Sequence, residues 1–117
     1  EQTEFAGRIK IGDNNVISEF VSIQRPFTRH AVTKIGSNNI IMAHAHIGHD
    51  AVIDDNCEIC TSSIIGGYSH IKSGAKIKLG VVVRNRIEIG ENAVVGMGSV
   101  VTKDVQKNSI VYGNPAK

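Results

Sequence analysis

A chain of 117 residues is enough for one domain. With 4% aromatic residues and no Trp it cannot build a core from large rings, and it lacks the stacking platform of a nucleic-acid binder. The net charge of +2 conceals a polarity, because Glu1 to His70 carries 5 basic and 8 acidic residues, whereas Ile71 to Lys117 carries 8 basic and 3 acidic. Such a basic end suits the phosphates of a cofactor or an acidic carrier protein, and suits nucleic acid least. No apolar run approaches membrane-spanning length and the N-terminus has no basic-then-apolar signal pattern, so a soluble cytoplasmic chain without a membrane partner is expected. The chain starts at Glu1 without Met and already in register, which reads as a fragment or a processed chain.

From Phe5 onward a branched or aromatic apolar residue recurs at every sixth position. The series runs Phe5, Ile11, Ile17, Ile23, then Ile35, Ile41, Ile47, Ile53, Ile59, Ile65, Ile71, Ile77, Val83, Ile89, Val95 and Val101. Arg29 alone breaks the register. A period of six fits neither an amphipathic helix nor an alternating strand, and predicts an all-β solenoid, a parallel β-helix with one apolar residue per face directed at the axis. Two positions before many of these ladder residues sits a small one: Ala45, Ala51, Cys57, Ser63, Ser69, Ala75, Ala93 and Ser99. A narrow prism is expected to leave no room there for more. Three positions after a ladder residue comes a bend former, as in Asn14, Asn38, Asn56, Gly74, Gly80, Asn92 and Gly98. One β-helix domain is expected over residues 1–117.

Taken in order, Glu1 to Ile23 supplies the first repeats and nothing catalytic. Residues from about 24 to 34 hold Pro26 and the misplaced Arg29, so the chain either replaces a face here or leaves the prism as a loop. His44, His46 and His49, with Asp50, then concentrate three imidazoles within six residues. An imidazole beside a carboxylate is the usual general base, but adjacent strand residues face opposite ways, so Asp50 reaches His49 only if a bend turns it back. The Cys57-x-x-Cys60 pair lacks the helix start of a redox motif and the four ligands of a structural zinc, and Cys57 simply falls in the small-residue phase. Gly67 follows His49 by 18 residues, one coil of three repeats, and so stacks on it. After Val101 the ladder stops, and residues from about 105 to 117 are expected to cap the open end.

The recurring Ile-Gly-x-Asn at Ile11, Ile35 and Ile89 resembles the hexapeptide-repeat transferases, and that resemblance implies a left-handed winding where general crossover rules favour a right-handed one. The run from Thr33 to Asp50 is similar to the UDP-N-acetylglucosamine O-acyltransferases of lipid A synthesis. In their likeness His49 is the catalytic base, Asp50 its supporting carboxylate, His46 a substrate-side histidine, and the Gly67 N–H an oxyanion donor. The likeness implies a homotrimer with pockets between chains, lined also by Tyr68, Gln24 and His70. Tyr68, Arg84 and Gln24 stand where that family has histidines, and within these 117 residues no counterpart of the family's long N-terminal coils or helical C-terminal domain is expected. The ending from Ile89 through Gly113-Asn114-Pro115-Ala116 resembles acetyl-CoA-dependent enzymes that acetylate nucleotide-linked amino sugars, although Glu58 replaces a histidine of the bacillosamine type.

These likenesses lead to an acyltransferase carrying a short acyl group, acetyl first, from a coenzyme A thioester to a hydroxyl or amine of a nucleotide-activated sugar for surface polysaccharide or lipopolysaccharide synthesis. Lys76, Lys78, Arg84 and Arg86 are expected on the donor phosphates. Met97, eight repeats beyond His49, is expected to fill the groove that a long acyl tail would need. An acyl-carrier-protein-dependent O-acyltransferase is the nearest alternative. A γ-carbonic-anhydrase-like zinc enzyme would use His44 and His49, but its third ligand falls near Gln24, a poor zinc ligand, so no metal is expected. A non-catalytic platform gives no reason for three clustered histidines.

Overall fold

In the computed structural model, which describes residues 7–117, the chain winds as a left-handed parallel β-helix of three faces. Phe5 lies outside the described residues. The strands, numbered along the chain, are two residues long except for two of four residues. The first face stacks β1 (Arg8–Ile11), β4 (Val32–Ile35), β7 (Val52–Ile53), β10 (His70–Ile71) and β13 (Glu88–Ile89). The second stacks β2 (Val16–Ile17), β5 (Ile40–Ile41), β8 (Glu58–Ile59), β11 (Lys76–Ile77), β14 (Val94–Val95) and β16 (Ile110–Val111). The third stacks β3 (Ser22–Ile23), β6 (His46–Ile47), β9 (Ile64–Ile65), β12 (Val82–Val83) and β15 (Val100–Val101). No helix among these residues is long and apolar enough to cross a membrane.

The hexad explains the shape. The ladder residues from Ile35 to Val101 are at most 1% exposed and form the axial core. At about 25 cal/mol for each square ångström of apolar surface removed from water, this column supplies most of the favourable free energy of folding. The turn former three residues on adopts a left-handed backbone, with φ from 58° to 78° across Asn38, Asn56, Gly74, Gly80, Asn92 and Gly98. The same angles are imposed on His44, Asp50, Ser62, Tyr68 and Arg86, where only Asp has a polar side chain suited to them. The repeat therefore sets the backbone at each corner regardless of residue type.

The phase two before the ladder is buried as expected, but it is not confined to small residues. Thr33, Asn39, Val81 and Ile87 occupy it at 0–7% exposure. The polar ones fit because they satisfy the corner backbone: Ser63 Oγ donates to the Lys78 carbonyl at 2.7 Å and accepts from Val81 N at 3.2 Å. Asn39 Nδ2 donates to the Asp54 carbonyl at 2.8 Å, and Asn39 Oδ1 accepts from Cys57 N at 2.7 Å.

Two departures from the 18-residue coil matter. Ile11 pairs with Ile35 and Ile23 with Ile47, offsets of 24, so one whole hexad has been pushed out of the prism as a loop from Gln24 to Ala31. Arg29 is exposed on it, and Val32–Lys34 already belong to β4. At the other end Val94 pairs with Ile110, an offset of 16, and Val105 bridges Ile89. Sheet pairing thus continues past Val101 in a coil shortened by two residues, and a Gly113–Ala116 bridge follows it.

Cys57 is buried, with its thiol within 3.2 Å of the Lys72 carbonyl. Burial pushes that thiol from 9.0 up to about 11, and burial also raises Cys60. A protonated, enclosed thiol is a poor nucleophile and a poor zinc ligand. The folded state favours the protonated form of Cys57, so its contribution is complete below pH 9 and is lost as pH rises through about 11. Comparing urea denaturation at pH 8 and pH 10.5, wild type is expected to lose about 1–3 kcal/mol more than Cys57→Ala. Ala51, Ala75 and Ala93 show that alanine fits this phase.

Candidate active site

The corner between the third and first faces gathers the chemistry. His49 follows β6 there, and Asp50, at φ 63°, turns its carboxylate back beneath the ring. His49 Nδ1 lies 2.9 Å from Asp50 Oδ2. A carboxylate only accepts, so Nδ1 carries the proton and Nε2 presents its lone pair. The side chains are 30% and 13% exposed, which leaves the imidazole within reach of a substrate and the carboxylate screened from water.

One coil on, Gly67 lies against that ring. A Cβ at Gly67 would stand 2.8 Å from His49 Nε2 and 3.1 Å from both Cδ2 and Cε1, so only glycine leaves this imidazole its place. The Gly67 N–H has no acceptor among the described residues. The same holds for Thr61 and Leu79 at equivalent positions of another corner, so the free donor belongs to the repeat. What singles Gly67 out is the imidazole beside it.

Aromatic rings flank the base. Tyr68 stands edge-on to His49 at 5.1 Å between centroids, its N–H donating to the His49 carbonyl at 3.0 Å. The Arg86 guanidinium covers the Tyr68 ring at 4.3 Å. From the extruded loop, Phe27 brings its exposed ring to 5.5 Å from His49. Gln24, where that loop begins, accepts the His49 N–H at its Oε1 over 3.2 Å. One of the two lone pairs of its amide oxygen is thereby taken.

Arg84 belongs to the same corner, whereas His46 projects from the third face with Nδ1 3.1 Å from Ser22 Oγ. His70 lies on the first face and is held by Asp54 at 2.9 Å, not by the dyad. Lys76 sits on the second face and Lys78 just beyond it, bonded to Glu58 at 3.2 Å. Met97 is 73% exposed on the corner between the second and third faces. Within one chain these last three are therefore not part of the His49 corner. His44 occupies the same second corner, stacked on Phe20 at 5.2 Å, so the two histidines of the zinc alternative lie on different corners of one chain. The residues not singled out from sequence are Phe27 and Thr33. A rare aromatic in the loop, and a β-branched hydroxyl in the small-residue phase, were the available signals.

Comparison with known proteins agrees with this fold. The model of the bacterial transferase hexapeptide, six repeats, matches residues 33–67, a segment that contains Thr33, His49, Asp50 and Gly67. Over those residues the chain matches the hexapeptide-repeat family, and the same six-residue period runs on to Val101. The chain is 41% identical over 111 residues to the acyl-[acyl-carrier-protein]–UDP-N-acetylglucosamine O-acyltransferase of Pseudomonas paraeruginosa, covering 94% of itself and 43% of that relative. It superposes on the UDP-N-acetylglucosamine acyltransferase of Francisella novicida with a TM-score of 0.90 at 32% identity, covering 97% of itself and 41% of that chain. PerB from Caulobacter crescentus, solved with CoA and GDP-perosamine, matches with a TM-score of 0.71 at 25% identity, over 89% of this chain and 53% of that one. The chain thus spans about two fifths of the curated relatives it matches.

Proposed function

We propose that the chain is the β-helical part of an acyltransferase that moves an acyl group from a thioester to a hydroxyl or amine of a nucleotide-linked sugar. The observation that carries this reading is the His49–Asp50 pair at 2.9 Å with Gly67 against its free Nε2 edge. As the acceptor oxygen or nitrogen bonds to the thioester carbon, His49 Nε2 takes its proton. The carbonyl electron pair moves onto oxygen, where the Gly67 N–H donates to it. Re-formation of the carbonyl expels the thiolate, which recovers the proton from His49. Asp50 holds the ring in the tautomer this requires and offsets the charge of the imidazolium. Tyr68, Gln24 and His46 border the acceptor, and His70 lies farther out on the adjoining face.

A homotrimer completes the arrangement in this reading. Lys76, Lys78 and Met97 lie away from their own His49, so they act on a donor only if a neighbouring chain presents them to this corner. Arg84 and Arg86 stand near it already and supply positive charge for donor phosphates.

Two donors remain, each favoured by a specific observation. Exposed Met97 and the Gly113-Asn114-Pro115-Ala116 ending favour a short acyl-CoA, acetyl first. The 41% identity to acyl-carrier-protein-dependent relatives favours a longer acyl chain on a carrier protein. The test is a donor series from acetyl to hydroxymyristoyl on both carriers, offered with UDP-N-acetylglucosamine and GDP-perosamine to wild type and Met97→Gly. We expect wild type to prefer the short chains on coenzyme A and the variant to shift toward longer ones. Wild-type preference for hydroxymyristoyl-carrier protein would overturn the short-chain reading, and turnover of no donor would overturn acyl transfer itself.

A further inference from the structure

Every left-handed bend residue from Asn38 to Asn108 but one donates its N–H to a backbone carbonyl at the matching corner of the preceding coil. Tyr68 donates to His49 O at 3.0 Å, Arg86 to Gly67 O at 2.9 Å, and Ser62 to Ala43 O at 3.0 Å. Asp50 is the exception. The hexad extruded between Gln24 and Ala31 has removed the bend that should lie beneath it, and with it the carbonyl. In its place the Asp50 N–H donates to the hydroxyl of Thr33 at 2.8 Å.

That hydroxyl has a second bond. Thr33 Oγ1 donates to the Gln24 carbonyl at 2.8 Å, joining the two ends of the extruded loop. The Gln24 side chain in turn accepts from His49 N. One fully buried hydroxyl thus joins the backbone of the carboxylate to the loop residue that holds the backbone of the base. The other buried hydroxyls do something different: Ser63 and Ser69 accept from Val81 and Ile87, residues of their own phase one coil on, and Ser99 accepts from Gly113 N, none of which carries chemistry.

We propose that Thr33 is the positioning residue of the His49–Asp50 pair: its hydroxyl replaces the missing carbonyl and fixes the left-handed turn at Asp50 that brings the carboxylate under Nδ1. The kinetic part rests on the acyl-transfer reading above. The structural part does not, and the two are measured separately. A positioning group acts on the alignment of the base and not on acceptor affinity, so kcat falls while KM stays.

The experiment compares wild type, Thr33→Val, Thr33→Ala and Thr33→Ser. Ile87 and Ala51 occupy the same corner phase on this face, and Val81 the same phase on the third face, so neither apolar substitution is foreign to the site. Turnover is measured with acetyl-CoA and GDP-perosamine and with hydroxymyristoyl-carrier protein and UDP-N-acetylglucosamine, and the His49 imidazole is followed by nitrogen-15 NMR. For Val and Ala we expect kcat to fall about tenfold, the effect of losing the bond to the Asp50 N–H, with acceptor KM within about twofold. Their imidazole resonances should lose the signature of an Nδ1–H held by a carboxylate, while Ser restores both readouts. A wild-type imidazole spectrum in Thr33→Val or Thr33→Ala overturns the proposal, as does failure of Ser to rescue. If wild type turns over neither pair, the acyl-transfer reading fails and the NMR comparison still decides the role of Thr33.

Discussion

Replacing His49 with Ala is expected to lower acyl transfer a hundredfold or more, roughly what loss of a positioned general base costs, while leaving the fold intact. The separation follows from where the residue sits. His49 lies on a corner with its ring 30% exposed, outside the axial column of Ile47, Ile53 and Ile65 that holds the coils together. Its backbone bonds, from Tyr68 N to its carbonyl and from its own N–H to Gln24, do not depend on the side chain. The one group left stranded is the Asp50 carboxylate, 13% exposed, which regains partial hydration once the ring is gone. Thermal melting should therefore move by only a few degrees while turnover collapses. More than about a third of wild-type activity in the variant would refute the general-base role.

Much of this was legible because the fold is periodic. A residue spacing of six places Ile47, Ile53 and Ile59 on successive faces, and 18 returns to the same corner, so Gly67 is placed against His49 by counting alone. Counting also shows why Met97 falls elsewhere: eight repeats are not a whole number of three-repeat coils, and it lands on the corner between the second and third faces. The left-handed bends were read at Asn and Gly, but the structure extends them to His44, Tyr68 and Arg86, because the hydrogen-bonded stack of corners overrides residue preference. At Asp50 the stack is interrupted, and the Thr33 hydroxyl takes the place of its carbonyl.

What counting does not give is the consequence of its own interruption. Arg29 marks the broken register, and the sequence allows either a replaced face or a loop. Only the 24-residue pairing offset shows that the hexad leaves the prism, carries Phe27 to the base, and deprives Asp50 of the carbonyl its counterparts use. The role of Thr33 depends on that vacancy, so its hydroxyl in the small-residue phase marks the position but does not reveal the role. His70, 21 residues beyond the base, lies on the adjoining face, where Asp54 holds it at 2.9 Å.

The second large effect is expected at a residue with no functional side chain. Gly67 has an ordinary backbone, not the left-handed one of its neighbour Tyr68, so Gly67→Ala meets no conformational penalty. What its methyl meets is the imidazole, with His49 Nε2 at 2.8 Å. That contact is too close to keep, and the flexible partner is the His49 ring, which must swing away from Gly67 and from the bond to Asp50. The variant should fold and melt like wild type yet lose about a hundredfold in activity, because the base is displaced rather than removed. Gly66 provides the contrast, since a Cβ there would press on Asn85 backbone atoms at 2.4 and 2.7 Å, which cannot rotate aside. Gly66→Ala should therefore lower the melting temperature, by contrast with its neighbour. Parallel melting curves and turnover numbers for the two variants check the argument, and full activity in Gly67→Ala would mean that the Nε2 edge facing Gly67 is not where the reaction occurs.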